Sequence, residues 1–516
     1  MAEAPADPGA WFQLARALRD IGDRAGAFDA FQKAADLNPS WAAPRIDLGN
    51  IHSQAGRWSR ALPEYETALR LAPNLVAAQV SLAVALRQVG RHAEALALFR
   101  AAQVDTTGAA GLHSRYLFAL TQAPGVSREA VFAAHLKFGQ RFGQDRIAPH
   151  ANDRTPDRPL RVGYVSGDLA GHAVVNFIAP VLAAHDPARV GTVIYSTAPP
   201  SAAPERHPGA WREAAGLDDA ALAEAIRADR IDILVDLSGH TGLNRLAVFG
   251  AKPAPVQVSW IGYPNTTGLS QIDYRLTDRF TAGPETEALL AEAAFHMPGA
   301  GACYQPFEDL PITPPPAQAL GCVTFGATNA PSKLNAAVFD TWAEILRACP
   351  DSRLALKYLG LADGYLIDQI TRAFAARGVD PGRLSFAGAS PFAAYMAGYS
   401  GIDILLDPFP YTGGTTTRNA LWMGVPVVTL KGQALYERIS SGLLAAIGLD
   451  DCIATSRPDY VAKAVALAGD LGHLAILRQE IRPRLMASGH FDPSGFTRDL
   501  EDAYREMWRR WRTASL

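Results

Sequence analysis

Near its three-quarter point the chain reads LDPFPYTGGTTTRNALW. The apolar run 402–406 has the length and composition of a buried strand. Asp407, Pro408 and Pro410 turn the chain, Gly413 and Gly414 come next, and from Thr415 the apolar Ala420, Leu421 and Met423 fall on a helical stripe. A strand, a glycine loop and a helix start expose backbone N–H groups at the positive end of a helix dipole. Glycine lets an anion approach that backbone, and Thr415, Thr416 and Thr417 add hydroxyl donors. The chemistry suits a diphosphate; the bland alternative is a βα turn with a threonine cap. Lys333, in NAPSKLN, comes after another β-like run and could aim a cation at a phosphate, although a loop lysine is more often solvated. His172, in SGDLAGH, and His240, in DLSGHTGLN, suit a general base or a donor to phosphate; a lone histidine is more often structural. Asp168, Asp236 and Asp407 end strands, where they orient hydroxyls or cap turns. No metal-ligand spacing stands out, so a diphosphate would be met by amides, Lys333 and a helix dipole. GxGxxG, GxSxG and P-loop motifs are absent.

These residues need elements to hold them. β-rich runs at 161–168, 192–196, 231–237, 256–261 and 274–277 are interspersed with helical stretches such as 175–185 and 218–228. Residues 298–318, with prolines at 314–316, read as a connector. A second series starts at Cys322, with strands at 323–329, 353–358, 384–386 and 426–430 and helices at 336–349, 365–377 and 392–400. Helices finish the chain, the last over 493–512. The alternation predicts two parallel sheets covered on both faces, with ligand loops at the carboxyl ends of their strands.

The first hundred residues repeat. Gly22, Gly56 and Gly90 are 34 residues apart, and so are Pro5, Pro39 and Pro73 and Ala27, Ala61 and Ala95. Phe31, Tyr65 and Phe99 share one large slot. The unit is helix, glycine turn, helix, proline: the tetratricopeptide pattern. Such units stack into a superhelix whose groove binds an extended protein segment; a purely structural or self-associating array is the alternative. Three units are near the minimum, so they should lean on the rest of the chain. Residues 104–111 break the pattern, helical stretches come next at 112–122 and 127–142, and 146–159 is a polar linker. The expected domains are repeats over 1–107, a helical connector and linker over 108–158, a first lobe over 159–312, and a second lobe over 313–516 that includes the last helix.

Bulk properties exclude some classes. At 516 residues the chain has room for about three domains. A hydrophobic content of 48% and a net charge of −3 describe a globular protein without a sign of nucleic acid or membrane as partner. Four scattered cysteines suit a reducing compartment. No signal segment and no run of about 18 apolar residues is present, so the expectation is a soluble cytoplasmic protein.

The order of these features resembles the O-GlcNAc transferase and SPINDLY family: repeats, helical connector, LRVGYVSGDLAGH, KPAPVQVSWIGYPNTTGLSQIDYRLTD, the Lys333 loop and LDPFPYTGGTTTRNALWMGVPVVTL. The resemblance covers almost the whole chain. It implies an all-α tetratricopeptide superhelix and then an α/β GT-B glycosyltransferase of two Rossmann-like lobes. It implies inverting transfer of a sugar, N-acetylglucosamine from UDP-GlcNAc, to Ser or Thr hydroxyls of proteins, with no metal or other cofactor. The repeats would bind the protein or peptide acceptor. On this resemblance Lys333 and His172 are catalytic, and Gly413, Gly414, Thr415, Thr416 and Thr417 hold the nucleotide sugar. His240 and Thr241, in a GHT segment typical of the SPINDLY-like branch, lie on the acceptor side. Two positions depart: Tyr395 stands for a histidine that contacts the nucleotide, and Asn419 for an acidic residue that binds ribose. Both can still hydrogen-bond the nucleotide sugar, but they leave the nucleotide open. GDP-fucose, and hence O-fucosyl transfer, is the alternative donor reading. An inactive transferase fold that binds protein partners is the alternative to an enzyme.

Overall fold

The computed structural model describes residues 6–104, 110–169, 171–198, 209–306 and 310–514. Six helices form three antiparallel hairpins: Pro8–Asp20 with Arg24–Leu37, Ala42–Gln54 with Trp58–Leu71, and Val76–Gln88 with His92–Val104. Gly22, Gly56 and Gly90 turn each hairpin at φ of +86°, +68° and +81°, the left-handed region where a Cβ is unfavourable. Ala27, Ala61 and Ala95 are fully buried, and Phe31, Tyr65 and Phe99 fill the equivalent slot in each unit. Pro5 and most of the expected break at 104–111 lie outside the described residues, as does the expected boundary at 107. Helices Ala110–Gln122 and Arg128–Phe142 come next, the second capped by the Ser127 hydroxyl.

The first lobe is a seven-stranded parallel sheet: β1 (Leu160–Ser166), β2 (Val190–Ser196), β3 (Ala210–Glu213), β4 (Ile233–Asp236), β5 (Val256–Ser259), β6 (Tyr274–Thr277) and β7 (Ala293–His296). Their order is β3-β2-β1-β4-β5-β6-β7. The second lobe has six parallel strands: β8 (Thr324–Ala327), β9 (Arg353–Lys357), β10 (Leu384–Ala387), β11 (Ile404–Leu406), β12 (Val427–Leu430) and β13 (Ile453–Ala454), ordered β10-β9-β8-β11-β12-β13. In each sheet the strand order reverses beside one strand, β1 or β8. The loops leaving β1 and β4, and those leaving β8 and β11, therefore diverge and open a crevice at the carboxyl ends.

The structure corrects the expected place of the last helix. Pro493–Ala514 does not pack on the second lobe. Phe496, Leu500, Tyr504, Met507 and Trp508 form a stripe at helical spacing, buried in one cluster with Tyr164, Val181 and Trp260 of the first. The Tyr504 and Tyr164 hydroxyls are 3.1 Å apart, and the Glu501 carboxylate accepts the Asp186 N–H at 2.9 Å. The stripe covers a face of the first sheet beside helix Val175–Ala184, so the chain returns to the lobe it had left.

The repeats lean on the second lobe. Ser59 donates its N–H and its hydroxyl to Asp363, and Gln369 Nε2 donates to the Val89 carbonyl at 2.9 Å. A Cβ at Gly360 would lie 2.4 Å from Trp58 Nε1. Among the described residues no single helix is long and apolar enough to cross a membrane.

Candidate functional site

The loops leaving β8 and β11 are built against each other. Asn335 caps helix Ala336–Ala348, its Oδ1 accepting the Val338 N–H at 3.1 Å, while its Nδ2 donates to the Phe409 carbonyl at 2.7 Å. The turn Pro331–Lys333 just before it carries Lys333, whose Nζ donates to the Thr412 carbonyl at 2.8 Å and lies 4.5 Å from the Tyr411 ring centroid. Desolvation pulls the Lys333 ammonium down to about 8, against the opposing attraction of the Asp407 carboxylate. Asp407 is buried, and burial raises its pKa. Its Oδ1 accepts the Gly413 N–H at 2.8 Å and its Oδ2 the Thr429 hydroxyl at 2.8 Å, which closes the loop on itself.

Gly413 leaves no room for a side chain: a Cβ would meet Thr417 Oγ1 at 2.3 Å and Asp407 Oδ1 at 2.8 Å. Helix Thr415–Trp422 starts at Gly414 with no side-chain cap, so its first amides are open to an anion. Of the three threonines only Thr415 lines the cavity. Thr416 donates to Asn329 Oδ1 at 2.8 Å, and Thr417 pairs with the Ser440 hydroxyl at 2.8 Å. Those two side chains brace the loop instead of offering their hydroxyls to a ligand, a correction to the expectation of three hydroxyl donors.

Opposite this loop lie groups of the first lobe, and together they enclose a cavity of about 260 Å³. His172 lies in the loop after β1. Its Nδ1 accepts the Val174 N–H at 3.3 Å and stands 3.8 Å from Asp168 Oδ2. Burial raises the Asp168 pKa, and the Thr241 hydroxyl, which donates to the Ser238 carbonyl at 2.8 Å, lies 3.4 Å from the same carboxylate. Phe177, Trp260 and the end of β6 complete this wall. Lys333, His172, Gly413, Gly414 and Thr415 therefore face one space.

Other expected site residues do not reach it. His240 is buried: its Nδ1 lies 2.9 Å from the Ser114 hydroxyl and its Nε2 2.9 Å from the Thr267 carbonyl, among the rings of His135, Phe138 and Tyr263. It ties the connector to the first lobe through Ser114 and does not line the cavity. Thr241 reaches the site only through Asp168. Asn419 is turned from the cavity; its Oδ1 accepts the Tyr304 hydroxyl, which also accepts from Asn176. The Tyr395 hydroxyl is 2.7 Å from that of Tyr399, which pairs with Thr328 at 2.9 Å, so Tyr395 begins a hydroxyl chain behind the loop and does not line the enclosed space.

Four charged or titratable residues in the wall, Arg275, Asp278, Arg418 and His490, carry no signal of their own in the sequence pattern or only a faint one. Arg275 on β6 donates to the Ser259 hydroxyl at 2.9 Å. That hydroxyl donates to Asp236, whose carboxyl burial pushes up to about 6. Arg418 is the fourth residue of helix Thr415–Trp422, and its Nη1 donates to the Gly414 carbonyl at 3.3 Å. His490 is buried beside Arg418 and held down to about 4 by desolvation and that guanidinium. Only Arg418 lies in a stretch whose pattern points to a ligand. Among the described residues no group of three or more His, Cys, Asp or Glu side chains is placed to hold a metal ion.

The model of glycosyl transferase family 41 matches residues 143–301 and 317–500, and tetratricopeptide models match residues 8–40 and 46–110. A rice (Oryza sativa subsp. japonica) protein named probable UDP-N-acetylglucosamine–peptide N-acetylglucosaminyltransferase SPINDLY is 38% identical over 395 residues, 74% of this chain and 43% of its own length. The Arabidopsis thaliana protein of the same description named SEC is 29% identical, over 68% of this chain and 37% of its own. The chain thus spans less than half the length of these plant relatives. A solved structure of a lysine-to-methionine variant of the Thermobaculum terrenum O-GlcNAc transferase is similar over 99% of this chain and 98% of its own, at 33% identity and a TM-score of 0.91.

Proposed function

Because the chain belongs to glycosyl transferase family 41, we propose that it transfers N-acetylglucosamine from UDP-GlcNAc to Ser or Thr hydroxyls of a protein, with inversion, on a fold of the GT-B type. The observation that carries the reading is the Lys333 ammonium held against the Thr412 carbonyl, facing the same cavity as the uncapped helix start and His172. In the inverting reaction the acceptor hydroxyl attacks the anomeric carbon from the face opposite the diphosphate, and its proton leaves to solvent water. The bond to the diphosphate breaks and negative charge grows on the leaving oxygen. Lys333, the amides after Gly413 and the helix dipole stabilise that charge in a preorganised, partly dry site. No metal is assigned a role in this reading. His172, on the facing wall, orients the acceptor or a phosphate. The groove of the repeats feeds the acceptor segment towards the cleft.

GDP-fucose is the second donor reading, motivated by Asn419, which offers no carboxylate for a ribose and is committed to Tyr304. A calorimetric panel of UDP, GDP, UDP-GlcNAc and GDP-fucose decides between the donors, and binding of none of them points to an inactive scaffold. Replacing Lys333 by Ala should lower turnover by about two to three orders of magnitude with little change in melting temperature. Near-full activity in that variant would overturn the site.

A further inference from the structure

Arg418 stands where an arginine is costly without a ligand. It lies four residues into helix Thr415–Trp422, near the positive end of the helix dipole, where a cation is unfavourable. It is 7% exposed. No carboxylate of the described residues pairs with it, and its Nε has no partner. The acid that acts on it from nearby is Asp278, whose oxygens already accept N–H groups from Phe280, Thr281 and Gly301. Burial draws the guanidinium down to about 10.

Geometry says what would offset this cost. Side chains on a helix lean towards its N-terminus, and Arg418 folds back until Nη1 meets the Gly414 carbonyl. Lys333 meets the Thr412 carbonyl. The two cations thus bracket Gly413 from its two neighbours, and both line the same cavity. Across from Arg418, Phe177 places its ring 5.1 Å from the guanidinium carbon. Phe177 belongs to the first turn of helix Val175–Ala184, which begins at the His172 loop. Two helix starts, Lys333 and Arg418 converge on one space, which Arg275 and the Asp278 carboxylate, already committed to three backbone N–H groups, also line.

We propose that Arg418 is the second cation of the diphosphate seat, its guanidinium donating to the phosphate oxygens that Lys333 and the Gly413 loop approach from the other side. The inference rests on the donor reading above. The planar fork of an arginine suits paired phosphate oxygens. Arg418 thereby supplies, from the second lobe and against a first-lobe ring, charge neutralisation that also helps hold the lobes around the donor.

The test is calorimetry on the full chain with UDP or GDP, whichever the unaltered protein binds, and with the matching nucleoside. Arg418→Met keeps length and removes charge. It should weaken the nucleoside diphosphate by about tenfold or more, leave the nucleoside within about twofold, and not lower the melting temperature. Arg418→Lys should restore part of the loss, which also separates lost charge from lost packing. Diphosphate affinity within twofold of the unaltered protein in Arg418→Met overturns the inference while leaving the donor reading intact. Equal losses for diphosphate and nucleoside overturn it too. Absence of any nucleotide binding by the unaltered protein overturns the donor reading, and the inference with it.

Discussion

At the scale of single residues, Lys333 carries a consequence for pH. Its ammonium is drawn down to about 8 in the free protein by desolvation. A diphosphate beside it favours the charged form, so binding raises its pKa and takes up a proton above pH 8. Donor affinity is therefore full below pH 8, where Lys333 is already charged, and declines as pH rises through that value. The decline should approach about tenfold per pH unit. Calorimetry of UDP-GlcNAc between pH 6.5 and 9.5, in buffers of differing ionisation heat, measures both the affinity and the proton taken up. A Lys333→Met protein should show weak affinity that no longer changes with pH. A pH-independent affinity in the unaltered protein would mean that another group carries the charge.

At the scale of elements, the loop between β11 and helix Thr415–Trp422 works because its backbone is closed by its own side chains. Asp407 ties Gly413 to the strand end, and Thr416 and Thr417 anchor the helix start to Asn329 and Ser440. A methyl group at Gly413 must displace Thr417 or Asp407, both buried. Gly413→Ala should cost roughly 1–3 kcal/mol in urea unfolding and weaken donor binding further than that cost suggests, because the amides move. Unchanged binding would remove the loop from the phosphate site. This loop was legible in the sequence because strand, turn and helix succeed one another within some twenty residues. The repeats were legible through their spacing, and most strands through apolar runs. Edge strands β3 and β7 were not, since half-exposed residues such as Trp211 and Phe295 leave no such run. The partner of helix Pro493–Ala514 was not legible either: its stripe says that it packs, not on what. The His240 and Asn419 side chains were misplaced for a related reason. A place near the carboxyl ends of the strands predicts nearness to a crevice, but the direction of a side chain depends on neighbours distant in sequence, here Ser114 for His240 and Tyr304 for Asn419.

At the scale of the whole molecule, the repeats, connector and two lobes meet along seams that contain buried histidines. His92 lies beside Ser332 in the turn that carries Lys333, and His135 lies 2.9 Å from the Tyr263 hydroxyl where the connector meets the first lobe. His240 packs against His135. Burial holds His92 and His135 down to about 4, and desolvation together with His135 holds His240 well below its ordinary value. Arg87 of the third repeat adds to the same region: its guanidinium donates to Gln122 and covers Phe118, whose ring meets Tyr411 beside Lys333. The array is therefore part of the wall behind the site. Each histidine enters its seam neutral, so the unfolded chain takes up protons first as the pH falls. The part of the stability that His92 and His135 contribute should decline from about pH 6.5 and level off near pH 4, where they also charge in the folded state. Buried Asp236 works in the opposite sense, since its raised pKa lets the folded state bind a proton first. The histidine contribution is isolated by His135→Gln, which keeps a hydrogen-bonding group and removes the titration. Between pH 6.5 and 4 its unfolding free energy should fall less steeply than that of the unaltered protein, by up to about 1.4 kcal/mol per pH unit. Equal slopes would show that the connector seam does not exclude the proton, and that the acid response of the molecule lies elsewhere.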